Sequence, residues 1–339
     1  MKLSVVLPAQ NEASCVGPLI ERLTRVLESV GHEWEVVFVD DGSTDTTWPL
    51  LREAAARDPR IRGLRLSRNF GHQVALTAGL QAAEGDAVVT MDSDLQHPPE
   101  VIPALLEKAA EGFDVIYAVR GPKDSEGAVK IATARFFYWL LNRLSSLDLP
   151  HGGADFRFMS RRAVDALLAM PERHRFLRGM SRWIGYPQDF IEYERQPRPG
   201  GRSKYTQRKM VRFAFDAVVS FSALPLRIAS WFGFVFSLLG GFYLVFVVAS
   251  RLLTDEAVPG WTSVVGVVLV LGGVQLACLG IIGQYVGRMY DELKARPLFF
   301  VWDDTRRAGA TAADGSPGRQ LVDLPLNEPG GSQPQTSPR

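Results

Sequence analysis

In the stretch "VVTMDSDLQHPPE", Val88–Glu100, an apolar run ends on Asp92, Asp94 and Gln96, two carboxylates and an amide within five residues. Two carboxylates brought together repel each other unless a cation or bound donors compensate them. Oxygen ligands with a neighbouring amide suit Mg²⁺ or Mn²⁺ rather than zinc. A cation held there would bridge the two phosphates of a nucleotide diphosphate and stabilise the charge that builds on that group as a bond to it breaks. The competing reading is a helix N-terminus decorated with acids, "HPPE" opening the helix. What else shares the same sheet edge separates the two.

A second acidic pair, Asp40 and Asp41, stands in "VDDGSTDTTW". Turn and cap chemistry accounts for Gly42, Ser43 and Asp45 but does not need two consecutive aspartates. A carboxylate accepting hydrogen bonds from a nucleobase imide or a ribose hydroxyl would use the surplus one, and both readings stand at this point. No G-x-G-x-x-G follows the first strand and no G-x-x-x-x-G-K-[ST] occurs, so a nucleotide would be held by another device.

The elements that must position these acids are short β-branched runs alternating with helical patterns. Strands are expected at Leu3–Leu7, Glu35–Asp40, Arg62–Leu66, Ala87–Met91 and Asp114–Ala118. Between the first two, Val16, Leu19, Ile20, Leu23, Val26, Leu27 and Val30 recur at helical spacing. Such alternation implies an α/β domain with a mainly parallel, Rossmann-like sheet and helices on both faces. Ligands of these sheets sit beyond the carboxyl ends of the strands. The clusters "PAQNE", "VDDGSTD" and "MDSDLQ" all fall at such ends.

The 339 residues are 46% hydrophobic, enough for a substantial core. Lys and Arg total 38 against 37 for Asp and Glu, so no overall field recruits nucleic acid. Cys15 and Cys278 lie in unlike surroundings and suggest neither a disulfide nor a zinc site. The N-terminus lacks the apolar run and cleavage pattern of a signal peptide, which leaves the first domain in the cytoplasm.

Two uncharged runs, Ile228–Ser250 and Ala257–Gly287, are each long enough to cross a hydrocarbon core as helix, for which about 20 apolar residues suffice. A pair of buried helices in a soluble core is the alternative, although soluble helices of that length usually carry a polar face. The connecting loop has one base and two acids, whereas "RKMVR" and Arg227 precede the first run and "GRMYDELKAR" follows the second. Positive charge inside then places both termini in the cytoplasm. Small residues at Ser237 and Gly241, and at Gly283 and Gly287, permit close helix approach within the hairpin or between protomers of a homo-oligomer. Beyond Trp302 the chain is rich in Gly, Pro, Ser and Thr, the composition of a disordered tail.

In this order, "VVLPAQNE", "VDDGSTD", "RNFGHQVALTAGL", Gly85–Asp86 and "MDSDLQHPP" resemble a family-2 glycosyltransferase of the GT-A fold. The continuation through "GADFRFMSRRAV", "RFLRG", "RPGGRSKY", two spans and "GQYVGRMYDELKARP" resembles the polyprenyl-phosphate glycosyltransferases, which include dolichol-phosphate mannose synthases and bactoprenol glucosyltransferases. The resemblance covers Lys2 to about Val301. It implies that Pro8, Gln10 and Glu12 with Asp41 hold the nucleoside, that Asp92, Asp94 and Gln96 hold the metal and donor diphosphate, and that Asn69–His72 line the same cleft. Gln10 stands where relatives often carry an aromatic residue, so base stacking is not implied there.

A sugar hydroxyl acceptor would need a general base, whereas a phosphate monoester arrives already anionic and needs positioning and charge compensation. Cationic groups between cleft and membrane are the expected signature. Arg198, Ser203 and Lys204 in "RPGGRSKY" supply it, the Arg as a planar fork and the Lys as a compact charge. Arg120 and Arg135 join them on the strength of the resemblance, and side chains snorkelling beside a membrane are the alternative for each. Asp155 in "GADFR" is read as an acceptor-side residue that orients groups, or as half of a salt bridge with a neighbouring Arg. "GMSRW" lacks the glutamine of the processive synthases' Q-x-x-R-W, and two spans form no channel, so processive synthesis is disfavoured.

The sequence thus reads as a cytoplasmic GT-A domain over 1–205, interfacial helices over 206–227, transmembrane helices over 228–250 and 262–287, a juxtamembrane segment over 288–303 and a tail over 304–339. The expected activity is inverting transfer of one sugar from a nucleotide donor, UDP-glucose foremost, to undecaprenyl phosphate at the inner face of the plasma membrane. GDP-mannose, UDP-N-acetylglucosamine or a UDP-aminoarabinose derivative is the alternative donor. A catalytically silent assembly subunit is the alternative class.

Overall fold

The computed structural model describes residues 1–121, 153–193, 224–254 and 260–306. Their elements, in chain order, begin with β1 (Lys2–Ala9), α1 (Ala13–Val30), β2 (Glu33–Asp40), α2 (Thr47–Arg57), β3 (Ile61–Leu66), α3 (His72–Ala82) and β4 (Ala87–Thr90). A short 3-10 turn at Pro99–Val101 leads into α4 (Ile102–Ala110), followed by β5 (Val115–Arg120), β6 (Gly153–Ser160), α5 (Arg161–Ala169), α6 (Leu177–Trp183) and β7 (Gln188–Tyr193). Two long helices, α7 (Leu224–Thr254) and α8 (Trp261–Leu293), precede a final strand, β8 (Val301–Asp304). By their contacts these residues divide into a sheet-bearing unit, which the chain rejoins at Pro297, and a unit containing α7 and α8.

The sheet has eight strands in the order β7-β5-β6-β4-β1-β2-β3-β8. Pairings β1–β2, β1–β4, β2–β3 and β5–β7 are parallel, while β6 runs antiparallel to β4 and β5, and β8 runs antiparallel to β3. Six strands therefore share one direction, and the ends of β1, β2, β3, β4 and β5 lie along one edge. All five expected strands are present. The described residues add three more, including β8, which straddles the boundary expected between juxtamembrane segment and tail.

Strand burial follows from position. Val5, Val6 and Leu7 of the central β1 are buried on both faces, as parallel strands covered by helices must be. The apolar stripe of α1 packs on the sheet through Val16, Leu19, Leu23, Val26 and Leu27. α3 is buried nearly all round, and Gly79 lets it approach β1 so closely that a Cβ there would run into Val6.

One carboxylate within the sheet, on β2, is buried and compensated by four donors. Glu35, 1% exposed, accepts from the Ser4 hydroxyl at 2.7 Å, the Glu84 backbone N–H at 2.7 Å, Lys2 Nζ at 3.0 Å and Arg306 Nη2 at 2.8 Å. Burial alone would raise its carboxyl, but the Ser4, Glu84, Lys2 and Arg306 donors outweigh it and bring the group from 4.5 down to about 2. A depressed carboxyl stabilises the fold at pH above its unfolded value, and that contribution is lost as pH falls toward the folded value. Glu35→Gln should therefore be less stable than wild type by on the order of 3 kcal/mol at neutral pH. The gap should close between about pH 4.5 and 2, as read from thermal midpoints. A gap that stays constant across that window contradicts this origin.

In the helical unit, α7 and α8 touch where Cys278 Sγ lies 3.7 Å from the Ala229 carbonyl oxygen. Their exposed faces are apolar, with Trp231, Phe234, Phe242, Leu276 and Leu279 all uncovered. Among the described residues, one stretch, Gly266–Leu293 of α8, is long and apolar enough to cross a membrane, with a mean hydropathy of 2.2 in its best window. The described apolar stretch of α7, Ala229–Tyr243, is shorter. The expected interfacial helices over 206–227 fall almost wholly outside the described residues.

Candidate active site

The antiparallel run of β6 beside β4 brings together acids that are far apart in the chain. Thr90 pairs with Arg157, so Asp92, two residues onward, and Asp155, two residues back, reach the same level of the sheet edge. Thr90 Oγ1 donates to the Asp155 carbonyl at 2.6 Å and fixes that register.

His72, opening α3 from the other side, joins the two acids. Its Nε2 lies 3.1 Å from Asp155 Oδ2 and 3.4 Å from Asp92 Oδ1. Burial would lower the imidazole, but the Asp155 hydrogen bond and the charges of Asp92 and Asp155 outweigh it and raise it above its ordinary value.

Asp155 is the most heavily compensated group of the site. Oδ1 accepts from Arg157 Nη2 at 2.7 Å and Arg178 Nε at 3.1 Å. Oδ2 takes Gln73 Nε2 at 3.2 Å and Arg178 Nη2 at 3.2 Å beside the His72 ring. Burial pushes this carboxyl up, yet the Arg178 charge, the His72 hydrogen bond and Arg157 hold it well below the usual carboxylate range. Arg157, 1% exposed, also donates to the Leu177 carbonyl at 3.0 Å and the Ser181 hydroxyl at 2.8 Å. Gln73 ties the same cluster to α6 by accepting from Leu177 N–H at 3.0 Å.

The turn after β4 is held from beneath. Ser93 Oγ donates to the Pro8 carbonyl at 2.8 Å, and Asp92 N–H donates to His97 Nδ1 at 3.1 Å. His97 therefore keeps Nδ1 unprotonated, and its ring stacks on Phe156 with centroids 5.3 Å apart. Leu95 takes a left-handed backbone (φ 62), and Asp94 Oδ1 accepts from Gln96 N–H at 3.1 Å. Asp92 and Asp94 stay half-buried at the surface, whereas Gln96 is buried. Among the described residues no group of three or more His, Cys, Asp or Glu gathers to hold an ion. The pair Asp92 and Asp94 offers hard oxygen donors for part of a divalent shell, which phosphate oxygens and water would complete.

The loops after β1 and β2 are stitched together. Asn11 N–H donates to Ser43 Oγ at 2.9 Å, Asn11 Oδ1 accepts from Thr44 N–H at 2.9 Å, and Glu12 N–H donates to Thr47 Oγ1 at 3.0 Å. Pro8 is buried in β1, Glu12 is half-buried, and Gln10 and Asn69 are exposed. Asp40 accepts from Ser43 N–H at 3.0 Å and lies 3.2 Å from Arg65 Nε. Asp41 is buried, accepting from Phe70 N–H at 2.7 Å and Gly71 N–H at 2.9 Å. Burial raises its carboxyl against these two donors. The second aspartate thus supports the Ser67–Gly71 turn from below, which is a use the turn-and-cap reading of its own loop does not contain.

Gly42 makes that close approach possible. Its φ is +66, and a Cβ there would lie 2.6 Å from the Arg68 carbonyl carbon and the Asn69 nitrogen. Gly42→Ala should destabilise the protein by about 1–3 kcal/mol, since both the backbone strain and the displaced turn count against it. An unchanged thermal midpoint would contradict the contact.

Arg120 ends β5 on the same sheet edge. Its side chain, together with Arg135, Arg198, Ser203 and Lys204, lies outside the described residues. Gln73, Arg157, Arg178 and His97 belong to the cluster, although little in the sequence marks them as site residues. The i, i+2 spacing of Asp155 and Arg157 was their one local signal, since it places both on one face of a strand.

The model of the family described as Glycosyl transferase family 2 matches residues 4–168. The chain is 37% identical over 307 residues to the Bactoprenol glucosyl transferase of Shigella phage SfV, covering 91% of this chain and all of that one. It is 40% identical over 301 residues to the uncharacterized glycosyltransferase YkcC of Bacillus subtilis (strain 168), covering 89% and 93%. Among solved structures, mannosyl-3-phosphoglycerate synthase from Rubrobacter xylanophilus is similar with a TM-score of 0.46 at 22% identity, over 67% of this chain and 74% of that one.

Proposed function

The chain belongs to glycosyl transferase family 2, and we propose on that footing that it moves one sugar from a nucleotide donor to the phosphate of a polyprenyl lipid at the cytoplasmic membrane face. Its mixed, mainly parallel sheet is that of the GT-A fold, and it is a glycosyltransferase. The near full-length similarity to bactoprenol glucosyl transferases supports the lipid acceptor, with UDP-glucose the first donor to test.

The observation that carries this reading is the convergence of Asp92 with a carboxylate, Asp155, whose oxygens are taken up by Arg157, Arg178, His72 and Gln73. A carboxyl held so far down is a weak base. That suits an acceptor that brings its own negative charge and needs no proton removed. Asp92 and Asp94 would hold Mg²⁺ or Mn²⁺, which when bound neutralises charge on the departing diphosphate. Pro8, Gln10, Glu12, Asp41 and Asn69 form or support the nucleoside side of the edge, and Gln96 closes the turn beneath Asp94. Arg120, Arg135, Arg198, Ser203 and Lys204 are the groups proposed to orient and neutralise the lipid phosphate for in-line attack with inversion.

We assign α7 and α8 to a transmembrane hairpin with spans over 228–250 and 262–287. Connectivity adds to the hydropathy of α8 a reason for a second crossing. β8 follows α8 yet pairs within the sheet that β1 to β7 build, so the excursion between them starts and finishes in one folded unit. A unit lying on one side of a membrane requires an even number of crossings. If α8 crosses, a second segment crosses too, and among the described residues α7 is the other apolar helix.

Membranes containing the protein, supplied with Mg²⁺ and a panel of labelled UDP-glucose, GDP-mannose, UDP-N-acetylglucosamine and a UDP-aminoarabinose derivative, should form a mild-acid-labile glycolipid from one donor. No lipid label from any of them would overturn the proposal in favour of a silent assembly subunit.

A further inference from the structure

We propose that the segment Phe300–Arg306, which follows the second long helix, is a positioning strap for the donor side of the site, so that this side is held in place only after the chain has returned from α8 to the sheet. The strap contacts β3 along its length. Ser67 N–H donates to the Phe300 carbonyl at 2.9 Å, and β8 pairs antiparallel with β3 through Leu64–Asp304, Arg65–Asp303 and Leu66–Val301. Arg62 forks onto the buried Asp304 with Nε at 3.1 Å and Nη2 at 2.7 Å, and Gly63 N–H donates to Thr305 Oγ1 at 2.9 Å. Arg306 then reaches across to Glu35 at 2.8 Å and Glu84 at 2.6 Å.

Position gives these contacts their consequence. β3 runs directly into the turn Ser67–Gly71, whose far end is held by Asp41 through the Phe70 and Gly71 amides. Phe300 grips the near end of that turn at Ser67, three residues from the first amide that Asp41 holds. The turn is therefore clamped twice, once by Asp41 just past β2 and once by a segment 242 residues from Arg62 in the chain. Without β8, β3 would be an open edge with unpaired backbone groups, free to twist or pair elsewhere. A strand that only covered that edge would support overall stability. A strap also fixes where the turn presents Asn69 and His72.

This inference rests on reading Ser67–His72 as the donor side. Two readouts, on the full chain and on shortened chains in lipid nanodiscs, separate it from that reading. Amide exchange at Phe70 and Gly71 should be faster in Asp304→Asn and in a chain ending after Leu298, and unchanged in one ending after Ala310. The KM for the nucleotide sugar should rise on the order of tenfold in Asp304→Asn while the KM for polyprenyl phosphate holds, an effect within the roughly hundredfold that a misplacement of about 1 Å can cost. Unchanged Phe70 and Gly71 protection in Asp304→Asn overturns the strap whatever the activity, even if the shorter chain fails to fold. Faster exchange together with an unchanged donor KM also overturns it, leaving β8 as an edge cover. A wild-type protein inactive with every donor overturns the transferase reading instead, and the exchange result then decides the strap alone.

Discussion

Asp94→Asn should lower the rate of sugar transfer by about a thousandfold, about 4 kcal/mol of transition-state stabilisation, while leaving the thermal midpoint close to wild type. Asparagine is the informative replacement because its side-chain oxygen can still accept the Gln96 N–H that Asp94 Oδ1 accepts at 3.1 Å. The turn then keeps its shape, and only the charge is lost. Asp94 is half-buried and outside the core cluster, so removing that charge leaves packing untouched. Asp92→Asn should be at least as damaging, since Asp92 also faces His72 at 3.4 Å. Chelating divalent ions should reproduce the loss in wild type and add little to the loss in Asp94→Asn. Transfer that survives Asp94→Asn unimpaired would remove the carboxylate pair from the chemistry.

Asp155→Ala should fail in a different way, through the fold. The side chain is buried, and its removal leaves Arg157, 1% exposed, without its carboxylate partner. Breaking one half of a buried charge pair costs about 3 to 5 kcal/mol, a large share of a domain's net stability. Arg178, His72 and Gln73 lose a shared acceptor at the same time. Asp155→Asn keeps one acceptor oxygen and should recover part of the stability and part of the activity together. A general base would behave otherwise: its loss would slow transfer on the order of a hundred- to ten-thousandfold with the fold intact. A stable Asp155→Asn protein with a loss of that size would show that the acceptor must be deprotonated.

The sequence made the first half of the sheet legible because its signals are local. Val16, Leu19 and Leu23 repeat at helical spacing and are buried as expected, and the acids fall where apolar runs stop. The strands that complete the site lack such signals. In β6 the alternation is present, with Phe156 and Phe158 on one face, but Asp155 and Arg157 on the other face are buried too, so the usual polar-out pattern is missing. β8 is four residues long, and its pairing partner lies more than two hundred residues earlier, beyond the reach of any local pattern.

The convergence at the site was half legible for the same reason. Asp92 and Asp94 announce themselves by spacing, but their meeting with Asp155 depends on the antiparallel register of Thr90 with Arg157. The surplus aspartate of "VDDG" could not be resolved within its own loop, since the amides that Asp41 holds belong to Phe70 and Gly71. His97 reads as part of a helix start in sequence, whereas its ring props the Asp92 amide from below.

The most direct measurement is ³¹P NMR of undecaprenyl phosphate incubated with the purified full-length protein, Mg²⁺ and the donor that labels membranes. Formation of a sugar–phosphate bond would replace the phosphomonoester resonance by a phosphodiester one, with one nucleoside diphosphate released per lipid converted. A persisting monoester signal while the nucleotide sugar is consumed would mean that the sugar goes to water or to a hydroxyl, and the lipid phosphate would not be the acceptor.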